Sequence, residues 1–389
     1  MSSAGQNVKT VRKRRGLTQR ELAEASGVSL STIRKLEQAD RDGARLETLR
    51  KLAVALGVPT MRLAGAPGIE EADPITADRW AGVRDALERP PLASGLDDGP
   101  PTVAGVRASL DDAMPLFTGD QLAHLSVLLP PLLRDADALG PEGRTVRVRL
   151  LQLAGWLMVQ TRQFSAAETA LERALSESVD RMESAATINT LLWLLLRQGQ
   201  LSKAHDLSVR WADETEPRIS RATPEELSTW GWMLLRLSAA AIRNGQPGEA
   251  DDAIKLASAA AVALGREYTP GNDFLRRFGP TTVKLKAAEN AAVTDRPDLV
   301  LRLAERIPLA GLRSTSNNRN RHILDVADAY AKTGQYADAF GKLEQIREGS
   351  PEWLPNQRYA RDILTKLIKS RRTLTVEMRS MADAVGLPL

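Results

Sequence analysis

Cysteine is absent from the 389 residues, and histidine occurs only at His124, His205 and His322, far apart in the chain. Disulfides and thiolate metal sites are therefore excluded, and three scattered imidazoles make no zinc cluster. Neither a metal nor a cofactor is expected. Aromatic residues make up 4% of the sequence, too few for a sheet-rich fold, since strands draw heavily on aromatic and β-branched side chains. Long apolar runs are missing as well. The longest, from Leu191 to Leu196, is far short of the ~20 residues that a membrane-spanning helix needs. The opening MSSAGQNVKTVRKRRG is basic and has no apolar core, so neither a secretion signal nor a membrane span is expected and the cytoplasm is the natural location. No phosphate-cradling glycine loop, nucleophile elbow or HExxH occurs, which weighs against an enzyme.

Ala, Leu, Arg and Glu dominate the composition, and these are strong helix formers. The length suits two or more domains, so the expected fold class is all-α. The net charge of +4 hides an asymmetry: residues 1–65 carry thirteen Lys/Arg against six Asp/Glu, whereas residues 66–146 carry six basic and fourteen acidic residues. A basic head on an acidic body points to a polyanion as the head's partner, because phosphate binding follows local Lys/Arg density.

Within the head, Val8, Val11, Leu17, Leu22, Ala23, Val28, Ile33 and Leu36, then Leu46, Leu49, Leu52, Ala53 and Leu56, fall at spacings that give several short helices one shared core. Thr18 is placed to N-cap QRELAEA, with Glu21 completing a capping box. Gly27 stops that helix in a left-handed conformation, and Ser29 caps the next, which runs through SLSTIRKLE. A turn this short sets the two helices at a steep angle, so one can cross a phosphate backbone while the other enters the major groove. Ile33 and Leu36 must face the core. Leu30, Ser31, Arg34 and Lys35 then face outward, with Ser29 and Thr32 at the edge. Arg34 or Lys35 can donate to guanine or phosphate, the serines are permissive readers, and Leu30 can meet a thymine methyl. Lys9, Arg12, Lys13, Arg14, Arg15 and Arg20 are candidate phosphate contacts, and Glu37 is expected to be structural, paired with a base such as Arg20.

Gly16-Leu17-Thr18-Gln19, Glu21-Leu22-Ala23, Gly27-Val28-Ser29, Ser31-Thr32-Ile33 and Leu36-Glu37, followed by Glu47-Thr48-Leu49 and Leu52-Ala53, resemble the Xre or phage-repressor (lambda-repressor-like) helix-turn-helix domain over roughly residues 5–64. The resemblance implies contacts with double-stranded DNA by Gln19, Ser29, Leu30, Ser31, Thr32, Arg34 and Lys35, with Arg12 and Arg15 among the flanking basic residues. Ala39-Asp40-Arg41-Asp42-Gly43 departs from the family, which often places glycine earlier in this loop.

From Arg147 onward a short pattern recurs: TRQFSAA at 161–167, QGQLSKA at 198–204, NGQPGEA at 244–250, TDRPDLV at 294–300 and TGQYADA at 333–339. Each copy joins two apolar helices, which makes the region a helical repeat array. Gly199, Gly245 and Gly334 leave the first helix, and Ala167, Ala204, Ala250 and Ala339 allow a close helix crossing. Gln121 to Leu139 offers a partial repeat ahead of these. The stretch Glu88 to Gly105 is rich in Pro and Gly and reads as a linker, with Asp78 to Leu87 a short helix placed to swap onto a partner subunit. The expected division is a helix-turn-helix head at 1–66, a linker with a short helix at 67–105, and a repeat domain for sensing and dimerisation at 106–389.

The repeats resemble degenerate tetratricopeptide repeats. Joined to an Xre head, and with FGPTTV at 278–283, LRLAERI at 301–307 and RHILDVADAYAKTGQYADA at 321–339, the chain is similar to actinobacterial Xre regulators with tetratricopeptide-like C-terminal domains. More distantly it resembles the peptide-pheromone receptors of Gram-positive bacteria, which act in quorum sensing. The resemblance implies a homodimer on a palindromic operator, a peptide or small-molecule signal on the concave surface, and control through head spacing. A protein-binding adaptor with an accessory DNA-binding head is the alternative, since such arrays often hold peptides of other proteins. Trp156 and Trp193 are 37 residues apart in equivalent positions, where packing is the expected role, while Asn189 lies one turn before Trp193 with an amide suited to a peptide backbone. Trp193, Trp230, Arg236, Arg243, Arg277, Asn318 and Arg321 join Asn189 as inner-face candidates. The loop GREYTPGNDFLRRFGP, 265–280, is placed either to gate the groove or to cap a long repeat.

Overall fold

The computed structural model describes residues 4–38, 46–56, 58, 63, 79–88, 101–371 and 373–389. Outside them fall the loop 39–43 and the linker stretches 67–78 and 89–100; the side chains of Arg14, Leu46 and Glu47 are likewise outside. Every extended element among the described residues is helical, the exception being a single bridge between Tyr268 and Phe278.

Among the described residues the head contains α1 (Ala4–Arg14), α2 (Gln19–Ser26), α3 (Leu30–Gln38) and α4 (Leu46–Leu56). Val8, Leu22, Ile33 and Leu52 are fully buried at its centre, in a cluster whose members all lie within residues 4–63. Gly5 lets α1 approach α3 so closely that an added Cβ would lie 1.8 Å from the Leu36 carbonyl oxygen. Thr18 and Glu21 form the reciprocal capping box, and Gly27 ends α2 at φ 65°, the left-handed geometry that glycine adopts without steric cost.

The body is a chain of antiparallel hairpins. Helix α5 (Ala81–Glu88) precedes them, and the pairs are α6 (Val103–Thr118) with α7 (Leu122–Ala138), α8 (Arg144–Gln160) with α9 (Phe164–Glu177), α10 (Arg181–Arg197) with α11 (Leu201–Thr215), α12 (Pro224–Arg243) with α13 (Pro247–Leu264), α14 (Pro280–Val293) with α15 (Pro297–Ala304), α16 (Asn317–Lys332) with α17 (Tyr336–Gly349), and α18 (Arg358–Lys369) followed by α19 (Val376–Ala384). The recurring motif is one physical device. Its second residue has positive φ in every copy, at Arg162, Gly199, Gly245, Asp295 and Gly334. The amide of the next residue donates back to the carbonyl five positions earlier, as from Gln163 to Met158, Gln200 to Leu195 and Gln335 to Tyr330, at 2.8–2.9 Å. This double-back satisfies carbonyls that the helix end leaves open. Asp120 (φ 54°) and the Gln121 amide, which donates to Leu116, make the same turn between α6 and α7. The segment from Gln121 is thus the second half of a complete hairpin. Ala167, Ala204, Ala250 and Ala339 are all fully buried where the second helix crosses the first.

Part of the expected linker is helix packed on the array. Helix α5 is seated on its own chain: Trp80, Val83 and Leu87 are buried in the core of the first repeats, Arg84 donates to Gln163, and Arg173 donates to the Leu87 carbonyl. Nearly every apolar side chain it has is used there. Thr102 also N-caps α6, so the proposed linker already contains helix at both ends.

Curvature brings the first hairpin against the sixth. The Ser350 hydroxyl lies 2.9 Å from an Asp120 carboxylate oxygen and accepts from Asn320 at 2.8 Å; Thr315 donates to the Thr118 carbonyl, and the Ala123 amide donates to Glu352. These contacts close the array around a central cavity of about 1750 Å³.

Candidate functional sites: the helix-turn-helix face and the central cavity

In α3, Ile33, Leu36 and Glu37 point inward, and Ser31, Thr32, Arg34 and Lys35 are exposed, as is Ser29 just before it; Leu30 is half-buried. The division follows from a turn of 3.6 residues. The hydroxyls of Ser31 and Thr32 lie 3.0 and 2.7 Å from that of Ser29, whose oxygen also accepts from the Thr32 amide. A base or phosphate meeting this end of the helix must exchange with that local cluster.

Glu37 holds the head together. Arg12 donates to both of its oxygens at 2.7 Å and to the Leu17 carbonyl at 2.8 Å, and the Gln19 amide donates to Glu37 at 2.8 Å. One carboxylate thus ties α1, α2 and α3. Burial alone would raise its pKa, but hydrogen bonds from Arg12 and Gln19 and the charge of Arg12 prevail and hold it below the usual range. The expected Glu37–Arg20 pair is not formed: Arg20 reaches Glu24 instead, at 3.7 Å on the surface, because Arg12 projects from α1 directly into the site that Glu37 occupies. Arg12 itself is 8% exposed, so its guanidinium is an internal strut and not an outward phosphate contact. Gln19 is half-buried and shares its amide with Glu37, whereas Arg15 is exposed.

The cavity walls are drawn from the first helices of successive hairpins and from the loop 265–279. Trp193, Arg236, Arg277, Asn318 and Arg321 line it, as do Arg243 and Trp156. Two candidates do not. Trp230 is buried in the core while Trp232, two residues on and so about 200° around the helix, faces the cavity and stacks with Arg236. Asn189 is fully buried because the loop covers it: its amide donates to Asp273 at 2.9 Å and its oxygen accepts from Arg236 at 2.7 Å. Asn189 therefore positions Arg236 and, fully buried, is out of a ligand's reach. Trp156 both packs and lines, meeting Phe117 edge-on at 4.9 Å and Trp193 at 5.3 Å.

The loop is a built wall. Arg149 donates to the Gly271 carbonyl, Asn272 to Thr229, Arg276 to Thr190 and Asp273, and the Trp232 indole to the Arg277 carbonyl. Phe278 is fully buried over Gly231, where an added Cβ would lie 2.0–2.5 Å from its ring.

The cavity is cationic. Fourteen Lys/Arg and seven Asp/Glu line it, although the body as a whole carries no such surplus. On one side the charges are matched: Glu289 takes Arg243 at 2.5 Å and Lys286 at 2.9 Å, and Asp328 takes Lys332 and Lys366. Burial pushes Asp325 up to about 7 against the pull of Arg321. Arg197, stacked on Trp193, has no such partner among the described residues. Burial, then the nearby Arg162 and Arg321, bring Arg197 down to about 9; burial and Arg276 do the same to Arg236 against the opposing pull of Glu289 and Asp273. Sequence reasoning missed Arg197, whose signal was its position one residue before a turn, on the same face as Trp193.

Among the described residues, no group of His, Asp or Glu is arranged to hold a metal ion, and no helix is long and apolar enough to cross a membrane. Residues 8–63 match the helix-turn-helix family model, and the head is a helix-turn-helix domain of the DNA-binding type. No curated protein and no solved structure matches the chain.

Proposed function

We propose that the chain is a ligand-responsive transcription regulator: a homodimer on a palindromic operator, whose central cavity takes a signalling peptide or small molecule and whose ligand state sets the spacing of the heads. The observation that carries the DNA half is the exposed row Ser29, Ser31, Thr32, Arg34 and Lys35 on a helix anchored from behind by Glu37. In this reading Arg34 and Lys35 anchor on phosphate or guanine, Ser29, Leu30 and Ser31 read bases weakly, and Gln19 and Arg15 touch the backbone. Weak readers leave much of the specificity to the separation of two half-sites, ~34 Å or a multiple of it.

The cavity supports the sensor half, since its volume exceeds the ~300–1,000 Å³ of ordinary ligand pockets and it is walled by polar groups from several repeats. A ligand acts on the heads only through a difference in affinity between two arrangements of the array. The proposed division is the head at 1–66, a connecting segment after it, and the sensing array from α5 onward to residue 389. Fluorescence anisotropy on DNA from the chain's own upstream region, with footprinting, tests the first half. Two protected half-sites on one face of the duplex are expected. A footprint with a single half-site contradicts the dimer, and equal affinity for unrelated DNA contradicts operator recognition.

A further inference from the structure

We propose that the cavity is an anion receptor: a carboxylate or phosphate of the ligand docks on Arg197 and Arg236, and an attached aromatic or aliphatic group lies in the corner formed by Trp156 and Trp193. This deepens the sensor reading given above and rests on it for its biological meaning.

Three observations converge on this side of the cavity. Arg197 lines it, is stacked on Trp193 with its guanidinium carbon 5.5 Å from the ring centroid, and has no carboxylate partner among the described residues. The charged groups acting on it are themselves cations, Arg162 and Arg321. Arg236, on the next repeat, also lines the cavity, is stacked on Trp232 at 5.1 Å, and is aimed by a hydrogen bond to the neutral amide of Asn189. Two carboxylates act on it, Glu289 and Asp273, and each is already bonded elsewhere, Glu289 to Arg243 and Lys286 and Asp273 to Arg276 and Asn189.

A desolvated guanidinium with no carboxylate partner, such as Arg197, is costly to leave without a counter-charge. Elsewhere in the same cavity this chain neutralises cations directly: Glu289 and Asp328 each bind two. Arg197 and Arg236 are held by stacking and by an amide, arrangements that fix a guanidinium's plane yet leave its outer N–H groups available. Planar forks fixed this way suit bidentate capture of an oxyanion. Phe117, Trp156 and Trp193 form an aromatic shelf at the same end, so the ligand that fits carries an apolar group next to its anion.

The full chain is titrated with the fluorescent aromatic anion anilinonaphthalene sulfonate and, separately, with the uncharged analogue N-phenylnaphthylamine. Binding of the anion is expected to weaken by about tenfold or more in Arg197→Gln, the loss of one charge-assisted contact, to fall again in Arg197→Gln with Arg236→Gln, and to be partly restored in Arg197→Lys. The neutral probe is expected to bind all variants alike. Displacement of the anion by triglutamate and not inorganic phosphate assigns the subsite to carboxylates; the opposite order assigns it to phosphates. Equal effects on both probes, no effect on either, or displacement by neither competitor overturns the proposal. Thermal unfolding confirms that each variant is folded, and Arg236→Gln alone serves should Arg197→Gln not be. DNA affinity of the same samples separates the two readings: an intact anion response with DNA affinity indifferent to it sinks the sensor reading and leaves the subsite standing.

Discussion

Glu37→Ala should abolish DNA binding although Glu37 is buried inside the head. The side chain of Glu37 is 2% exposed and that of Arg12 10%, and the pair is bidentate at 2.7 Å. Removing the carboxylate leaves a buried guanidinium with only the Leu17 carbonyl, a loss on the order of 3–5 kcal/mol for a pair of this burial. A single core of about 65 residues rarely provides more than ~3–5 kcal/mol in total. The head should therefore be largely unfolded at 25 °C while the array keeps its own transition. Anisotropy and calorimetry read the two consequences separately. The double variant Arg12→Met with Glu37→Leu replaces both charges by apolar groups and should recover most of the head's stability. If it folds and binds DNA, Arg12 is only a strut; if it folds and does not bind, Arg12 also serves the DNA. The pH dependence has a defined sign. Because the folded-state pKa of Glu37 lies below its ordinary 4.5, its stabilisation is fully present above that value and is lost as pH falls through the lowered one. A Glu37→Ala protein with wild-type unfolding and wild-type affinity would refute this reasoning.

Other perturbations follow from the same geometry. Gly231→Ala should displace the Phe278 ring, whose atoms lie 2.0–2.5 Å from the new methyl group, destabilising the array by at least ~1–3 kcal/mol and exposing the loop 265–279 to limited proteolysis. Asp120 is pushed up to about 7 by burial, against its bond with Ser350, so the closure between first and sixth hairpins is strongest at low pH and weakens as pH rises from about 4 through 7. Asp120→Asn should raise the melting temperature by at least a few degrees at pH 8 and leave it nearly unchanged at pH 4; equal shifts at both would exclude the titration. Gly334→Ala places a Cβ at φ 80° and should cost about 1–2 kcal/mol, whereas Arg162→Gly at the equivalent turn should not destabilise the turn itself, as denaturant titration would show.

How far the fold was legible depended on the range of the interactions. Thr18, Glu21 and Gly27 carry their instructions within a few residues, and so do the five turn motifs, so the head and the hairpins could be read directly. The turn at Asp120 was legible only as the start of a partial repeat, although it has the same left-handed residue as the others. Long-range facts were not legible. Nothing near Arg12 reveals that Glu37, 25 positions away, takes two of its donors, and nothing near Asn189 reveals that Asp273, 84 positions away, covers it. Trp230 and Trp232 could not be ranked without the phase of the helix. The cationic cavity was concealed for another reason: its charges are spread from Arg162 to Lys369 within a body whose total charge is slightly negative.

The central claim is that α3 reads DNA under the control of the array, and one measurement bears on it most directly. Anisotropy titrations on the upstream fragment compare the wild-type chain with Arg34→Ala plus Lys35→Ala, both exposed side chains outside the head's core. The account predicts an unchanged melting temperature, loss of specific affinity by at least about 2 kcal/mol and a shallower salt dependence. A stable double variant that binds the fragment as tightly as the wild type would contradict it.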